Sequence, residues 1–208
     1  IVKRAFERKY IVPTAVMSSK RDFGINHKTY GVTSEGVRVY ADVAMRYAGM
    51  HPLDPSRTSP VTVKITGGPA GDVAGNMLLL LNKYYGDKIS VVGMCDGMGS
   101  VEDPDGLDMT ELLRLVKKQL DINGFDSTKL GPKGRLAVVP SDEGVEARNT
   151  MHNRVEADVF LPCGGRPFTI DDENWPQFLK ADGTPSSKVI VEGANVFLTP
   201  GAREKLYE

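Results

Sequence analysis

A doubly wound α/β domain, built on a mostly parallel sheet with helices on both faces, is the fold this sequence predicts. Three observations predict it. Short β-branched or aliphatic runs recur along the 208 residues, Val61–Thr66 being the clearest. Longer stretches of helical period lie between them. Glycine (22) and proline (13) punctuate the junctions. Parallel strands buried on both faces read as continuous apolar runs, and the intervening helices supply the covering layers.

The elements follow in order. Residues 1–33 are weakly patterned, with a basic helix end from Arg4 to Arg8 and a short strand candidate at Tyr10-Ile11-Val12. A helix is expected over 34–50, where Val37, Tyr40, Ala41, Ala44, Met45 and Ala48 fall at helical spacing and Thr33 or Ser34 is available as N-cap. Pro52, Pro55 and Pro60 mark a boundary loop. The strand Val61–Thr66 runs into Gly67-Gly68-Pro69-Ala70-Gly71, and 72–85 reads as a helix that is apolar nearly all round. Ile89–Gly93 is the second strand. Asp108 and Glu111 have capping-box spacing ahead of Leu112, Leu113, Leu115 and Val116, which places a helix start there. Leu136–Val139, Ala157–Leu161 and Val189–Val191 are the third to fifth strands. Thr199-Pro200 opens a final helix, with proline in its first turn.

Composition removes several function classes. Lys and Arg total 26 against 27 Asp and Glu, a net charge of −1, so the basic surplus of a nucleic-acid binder is missing. The longest apolar run, Met77–Leu81, is far short of the roughly 18 residues that span a bilayer. Two cysteines, Cys95 and Cys163, cannot build a disulfide scaffold or a four-thiolate metal site, and they suit a reducing compartment. His27, His51 and His152 have no metal-ligand spacing. Asp103, Asp105 and Asp108 lack the closing glutamate of a calcium loop and read as a polar turn. Neither a Gly-x-Ser-x-Gly elbow nor a P-loop is present. Cys163 follows a strand, as a reactive thiol or as a small packing residue. Arg148-Asn149 and Arg166 fit a structural network or an interface equally well.

The glycine run after the first strand carries the strongest chemical signal. A sharp glycine turn lets backbone approach a pyrophosphate, and the following helix aims free N–H groups and its positive end at it. Gly68, Gly71 and Ala74 approximate that fingerprint with one residue too many between the first two. A dinucleotide site also wants an acid at the end of the second strand to hold the adenosine ribose, about 20 residues on. Asp96 stands 28 positions after Gly68 and would repel the extra phosphate of NADP. A ligand-free tight turn and a solvated Asp96-Gly97 turn are the plainer alternatives.

Longer motifs then resemble one family, the large NAD-specific glutamate dehydrogenases of the Glu/Leu/Phe/Val dehydrogenase superfamily. They are His27–Val37, Ile65–Asn76, Pro104–Asp108, Glu146–His152, Ala157–Pro167 and Val191–Pro200, in the family's order from about residue 14 to the end. The resemblance implies a Rossmann-type NAD domain from an enzyme that oxidatively deaminates L-glutamate to 2-oxoglutarate and ammonia. It implies residues 34–208 as that domain, cut short at its C-terminal end, and 1–33 as a lead-in from a substrate domain outside this chain.

The resemblance also implies roles residue by residue. Thr33 would lie near the nicotinamide, and Gly68, Pro69, Ala70, Gly71, Asp72 and Val73 would form the phosphate turn. Asp96 would hold the ribose, Cys163 and Gly164 would lie against the cofactor, and Asn195 would reach the nicotinamide end. The family's catalytic lysine and aspartate belong to the substrate domain, so no catalytic residue and no metal ligand is expected here. A cytoplasmic or mitochondrial-matrix enzyme, homo-oligomeric in full length, without nucleic-acid or membrane partners, is the implied setting. A dehydrogenase of another amino acid and a non-catalytic nucleotide-sensing domain are the rival readings.

Overall fold

The computed structural model describes residues 2–12, 17–18 and 25–207. It opens with a short helix, α1 (Val2–Glu7), and two minimal strands, β1 (Met17–Ser18) and β2 (Ile25–Asn26), paired in parallel. Tyr10-Ile11-Val12, expected as a strand, is instead a bend after α1, where Lys9 turns the chain at φ 55°. Most of the stretch 13–24 lies outside the described residues. A single turn, α2 (His27–Tyr30), ends at Gly31 with φ 60°, and α3 (Val32–Tyr47) begins there.

The α3 helix starts earlier than its sequence signals suggest. Neither Thr33 nor Ser34 is its N-cap; both lie in its first turn, and the Ser34 hydroxyl donates to Val73 O at 3.1 Å. Of its expected core face, Val37, Ala41 and Met45 are buried, whereas Tyr40 is 73% exposed. The buried three recur every fourth residue and form a narrow stripe, which Tyr40 falls beside.

Six strands make the main sheet: β3 (Val61–Thr66), β4 (Ile89–Asp96), β5 (Gly99–Glu102), β6 (Arg135–Val138), β7 (Val159–Pro162) and β8 (Val189–Ile190). Their order is β6-β5-β4-β3-β7-β8. β3 runs parallel to β4 and β7, and β7 to β8, while β5 is antiparallel to both neighbours. The mostly parallel sheet is therefore as predicted, with one strand added. That strand comes from a tight hairpin: Asp96 pairs with Gly99 across Gly97-Met98, and β4 runs three residues past its expected end at Gly93 to reach it. The Asp96-Gly97 pair, read as a polar turn, thus straddles the end of β4 and the start of a two-residue hairpin loop.

Helices α4 (Asp72–Tyr85), α5 (Met109–Lys118), α6 (Asp142–Arg154) and α7 (Pro200–Tyr207) complete the fold. Asp108 caps α5 through a hydrogen bond from the Glu111 N–H at 3.1 Å, while the Glu111 carboxylate accepts from Arg114 and from the Asp126 N–H. α4 packs between α3 and α5, and α6 lies across β4, β5 and β6. The strand β3 shows that these layers cover opposite faces. Val63 and Ile65 join the core cluster containing Met77 and Leu78 of α4. Lys64 between them donates to the carbonyls of His152 in α6 and Val155 just after it. Successive strand side chains point to opposite sides, so the sheet is doubly wound. Strand order reverses between β3 and β7, and in open α/β sheets ligands bind beyond the strand ends at such a reversal.

Candidate functional site

Three strand ends are stitched together at this reversal. The Cys163 N–H donates to Thr66 O at 2.9 Å, the Thr66 hydroxyl donates to Gly164 O at 2.6 Å, and the Gly67 N–H donates to Cys95 O at 2.8 Å. The fit is so close that side chains are excluded. Gly67 has φ +98°, and a Cβ built on it would lie 2.9 Å from the Gly164 nitrogen. A Cβ on Gly68 would land on the Asp96 carboxylate. The turn then closes with the Gly71 N–H on Gly68 O at 2.8 Å, and α4 starts from Gly71 without a side-chain cap. Its first N–H groups and positive end thus face outward beyond the strands.

Asp96 is fixed on both oxygens. Oδ1 accepts the Met98 N–H at 2.7 Å and Oδ2 accepts the Ile122 N–H at 2.8 Å. Burial pushes its pKa up, with the neighbouring Asp121 adding to the shift and the two N–H bonds opposing it. Each oxygen keeps lone pairs for a further donor.

Above these groups opens a cleft of about 790 Å³. Gly67, Gly68, Ala70 and Gly71 form one side of it, and Asp96, Gly97 and Asp121 another. Arg148, Asn149 and His152 of α6 form the third wall, and the loop from Gly164 to Thr169 the fourth. Ligand sites of drug-like or cofactor size run to ≈ 300–1,000 Å³.

The structure divides the residues singled out from sequence. Gly68, Ala70, Gly71, Asp96 and Gly164 line the cleft. Pro69 is buried beneath it, with its carbonyl against Gly75. Asp72 pairs with His27 at 3.1 Å, and Val73 meets Val37 and Gly193 at a separate junction. Thr33 and Asn195 are exposed and lie outside the cleft lining. Cys163 is buried, and burial pushes its thiol, like that of Cys95, up to about 12. Of the two readings of Cys163, its burial favours the small packing residue. Ellman's reagent at pH 7.5 should find both thiols only after unfolding in guanidinium; stoichiometric labelling of the native protein within minutes would contradict the burial argument.

The sequence leaves the roles of Arg148, Asn149, His152 and Arg166 open, and the structure brings all four to the cleft. Arg148 Nη1 donates to Gly97 O at 2.9 Å and its Nε to Asn149 Oδ1 at 3.2 Å. His152 stacks on Phe160 and meets Phe197 edge-on. Burial, then the charges of Lys64 and Arg154, lowers its pKa to about 4, so the ring is neutral at physiological pH. The signal that could have found the three on α6 is the motif Glu146–His152, with polar and apolar positions at helical spacing.

The family model of glutamate/leucine/phenylalanine/valine dehydrogenases matches residues 24–208. A protein of Schizosaccharomyces pombe named "Probable NAD-specific glutamate dehydrogenase" is 41% identical over 194 residues, covering 88% of this chain and 16% of its own. The NAD-specific glutamate dehydrogenase of Neurospora crassa is 38% identical over 203 residues, covering 91% of this chain and 18% of its own. The chain thus spans less than a fifth of the length of these relatives. Among solved structures, glutamate dehydrogenase 2 of Plasmodium falciparum shares the fold, with a TM-score of 0.59 at 19% identity over 88% of this chain and 35% of that one. By profile, identity and fold together, the chain belongs to the glutamate/leucine/phenylalanine/valine dehydrogenase family.

Proposed function

We propose that this chain is the NAD-binding domain of an NAD-specific glutamate dehydrogenase. The observation that carries the reading is the cleft beyond the paired ends of β3 and β7. There a glycine turn, a helix N-terminus and a half-buried acid at the end of β4 converge on one cleft, in a chain about 40% identical to relatives of that name.

The residues present fit the dinucleotide. Gly68 and Gly71 have no room for a side chain against Asp96 and the Gly68 carbonyl, which keeps the turn tight, and the uncapped N–H groups of α4 would supply donors to a diphosphate. Pro69, Ala70, Asp72 and Val73 shape the same turn. Asp96 accepts from the ribose hydroxyls and repels a 2′-phosphate. Gly164, with Cys163 packed beneath it, lets the cofactor cross the sheet. Thr33 and Asn195 serve the nicotinamide end. NAD held there would supply the hydride acceptor for oxidation at the α-carbon of glutamate, and this chain would orient it and exclude water.

The acid–base groups belong to a substrate domain elsewhere in the parent chain, so residues 1–33 lead in from that domain and 34–208 form the nucleotide domain. The parent assembles as a homo-oligomer in a reducing, cytoplasmic setting. Two buried free cysteines support the compartment, and no helix among the described residues is long and apolar enough to cross a membrane.

Titration with NADH and NADPH, followed by nicotinamide fluorescence, tests the reading. NADH should saturate, with NADPH at least about tenfold weaker, a difference of roughly 1.4 kcal/mol. Asp96→Ala should abolish that preference. Equal affinity for the two in the wild type, or binding of neither, would sink the proposal.

A further inference from the structure

We propose that Phe168 and Val196 form a strained rim beside the cleft, set by Glu192 as a positioning residue, and that the strain is kept because it presents the Phe168 ring to the bound dinucleotide. The inference rests on the dinucleotide reading above and adds a ligand contact away from the glycine turn. Its basis is an uncommon pair of backbone conformations. Among the described residues, four that are not glycine have φ of 50–58°. Lys9 and Gln119 follow helices α1 and α5, where a left-handed residue is ordinary. Phe168 (φ 58°) and Val196 (φ 50°) end no helix, and they are joined to each other, the Phe168 N–H donating to Val196 O at 2.8 Å. A bulky or β-branched side chain is costly in this region of backbone space. Such residues persist only where their surroundings over-determine them, and they cluster at functional sites.

The surroundings are the two loops beyond β7 and β8, which are zipped together. The Ile170 N–H donates to Phe197 O at 3.0 Å, and the Thr199 N–H to Ile170 O at 2.9 Å. The N–H groups of Gly193 and Ala194 both donate to Pro162 O at 2.7 Å. The Phe197 ring presses on Gly165 so closely that a Cβ there would lie 2.6 Å from it. Between these ties only Asn195 and Val196 remain to reverse the chain, and Val196 takes the left-handed turn. Glu192 closes the loop from inside. One of its carboxylate oxygens accepts the Leu198 N–H at 2.8 Å, and the other pairs with Arg203 of α7 at 2.5 Å. The outcome of all these ties is the place of Phe168. Its ring is 58% exposed yet lines the cleft beside Arg166. A relaxed φ would swing that ring away from where it stands. A flat aromatic face held at a cleft stacks on a heteroaromatic ring of a nucleotide.

The test sets NADH affinity, read by nicotinamide fluorescence, against thermal stability. Val196→Gly relaxes the turn, so Tm should hold or rise by about 2–4 °C while NADH binds at least about fivefold more weakly. Phe168→Ala should weaken NADH about tenfold with little change in Tm. Glu192→Ala should weaken NADH as well, and Glu192→Gln should restore most of the loss, because an amide oxygen still accepts the Leu198 N–H. If NADH affinity is unchanged in Val196→Gly or in Phe168→Ala, the inference falls while the dinucleotide reading stands. A lower Tm in Val196→Gly would mean that the turn serves the fold and not the ligand, and would overturn it too. Failure of Glu192→Gln to restore binding would remove the positioning role of Glu192. A wild type that does not bind NADH sinks the dinucleotide reading and this inference with it.

Discussion

Replacing Lys64 with methionine should destabilise the domain and remove a rise in stability with pH that the wild type shows above neutrality. Lys64 is wholly buried in the central strand β3. Its ammonium donates to His152 O and Val155 O, both at 2.7 Å, and to the Ser186 hydroxyl at 2.6 Å. It also lies 4.5 Å from the centre of the Phe178 ring. The two carbonyls belong to the C-terminal end of α6, where a cation is favoured by the helix dipole. Methionine matches the side chain in length but leaves these acceptors buried without their donor. A loss of about 2–4 kcal/mol is expected, combining unsatisfied buried groups with imperfect refilling of the site.

The pH dependence has a definite sign. Burial lowers the pKa of Lys64 to about 7, below the 10.5 of a free lysine. Between these values the unfolded chain holds a proton that the folded chain has released, so stability rises with pH across that window. From pH 7.0 to 8.5 the gain is about 1–2 kcal/mol. Cys95 and Cys163 act oppositely, since their folded thiols titrate near 12, but only as pH reaches the range of a free thiol near 9. Urea denaturation at the two pH values measures the difference directly. A wild type with equal stability at both, or a Lys64→Met variant with the same slope, would refute the assignment to Lys64.

The second large effect is at Gly67. Alanine there must adopt φ +98° and place its Cβ 2.9 Å from Gly164 N and 3.0 Å from the Cys163 carbonyl carbon. Neither neighbour is a flexible side-chain end; both are backbone in adjoining strand ends. Backbone strain of roughly 1–2 kcal/mol, with the overlap added, gives an expected loss of about 3–5 kcal/mol. On the proposed reading nucleotide affinity should fall with it, because the ends of β3 and β7 that floor the cleft must part. Gly36→Ala is the control: Gly36 lies inside α3 with nothing within 4 Å of a built Cβ, so the change should stabilise by up to about 1 kcal/mol. A Gly67→Ala protein within 1 kcal/mol of wild type would show that the crossing tolerates a side chain.

Helices and strands whose chemistry is local are legible in the sequence itself. The apolar period of 72–85, the Asp108 cap, the proline opening α7 and the β-branched run of β3 all appear close to where expected. The misleading signals are those whose meaning depends on a distant partner. Ser34 looks like an N-cap but spends its hydroxyl on Val73. Tyr40 fits an apolar period yet faces outward because the neighbouring layer covers only the stripe beside it. Asp96-Gly97 is a turn in sequence and becomes a hairpin only because β5 finds β6 to pair with.

The same division holds for the site. Sequence by itself determined the fold class, the family and the glycine turn, since these rest on periodicity and on residue order along one segment. It could also nominate Asp96, whose place at the end of a strand is a local property. Only the tertiary structure decided that Gly67 must be glycine, that Lys64 is a buried cation clamping α6, and that Arg148 and His152 turn toward the cleft. Each of these follows from groups 51 to 122 positions apart in sequence meeting at hydrogen-bond or van der Waals range. Such meetings are set by the order in which strands enter the sheet, and no local spacing encodes that order.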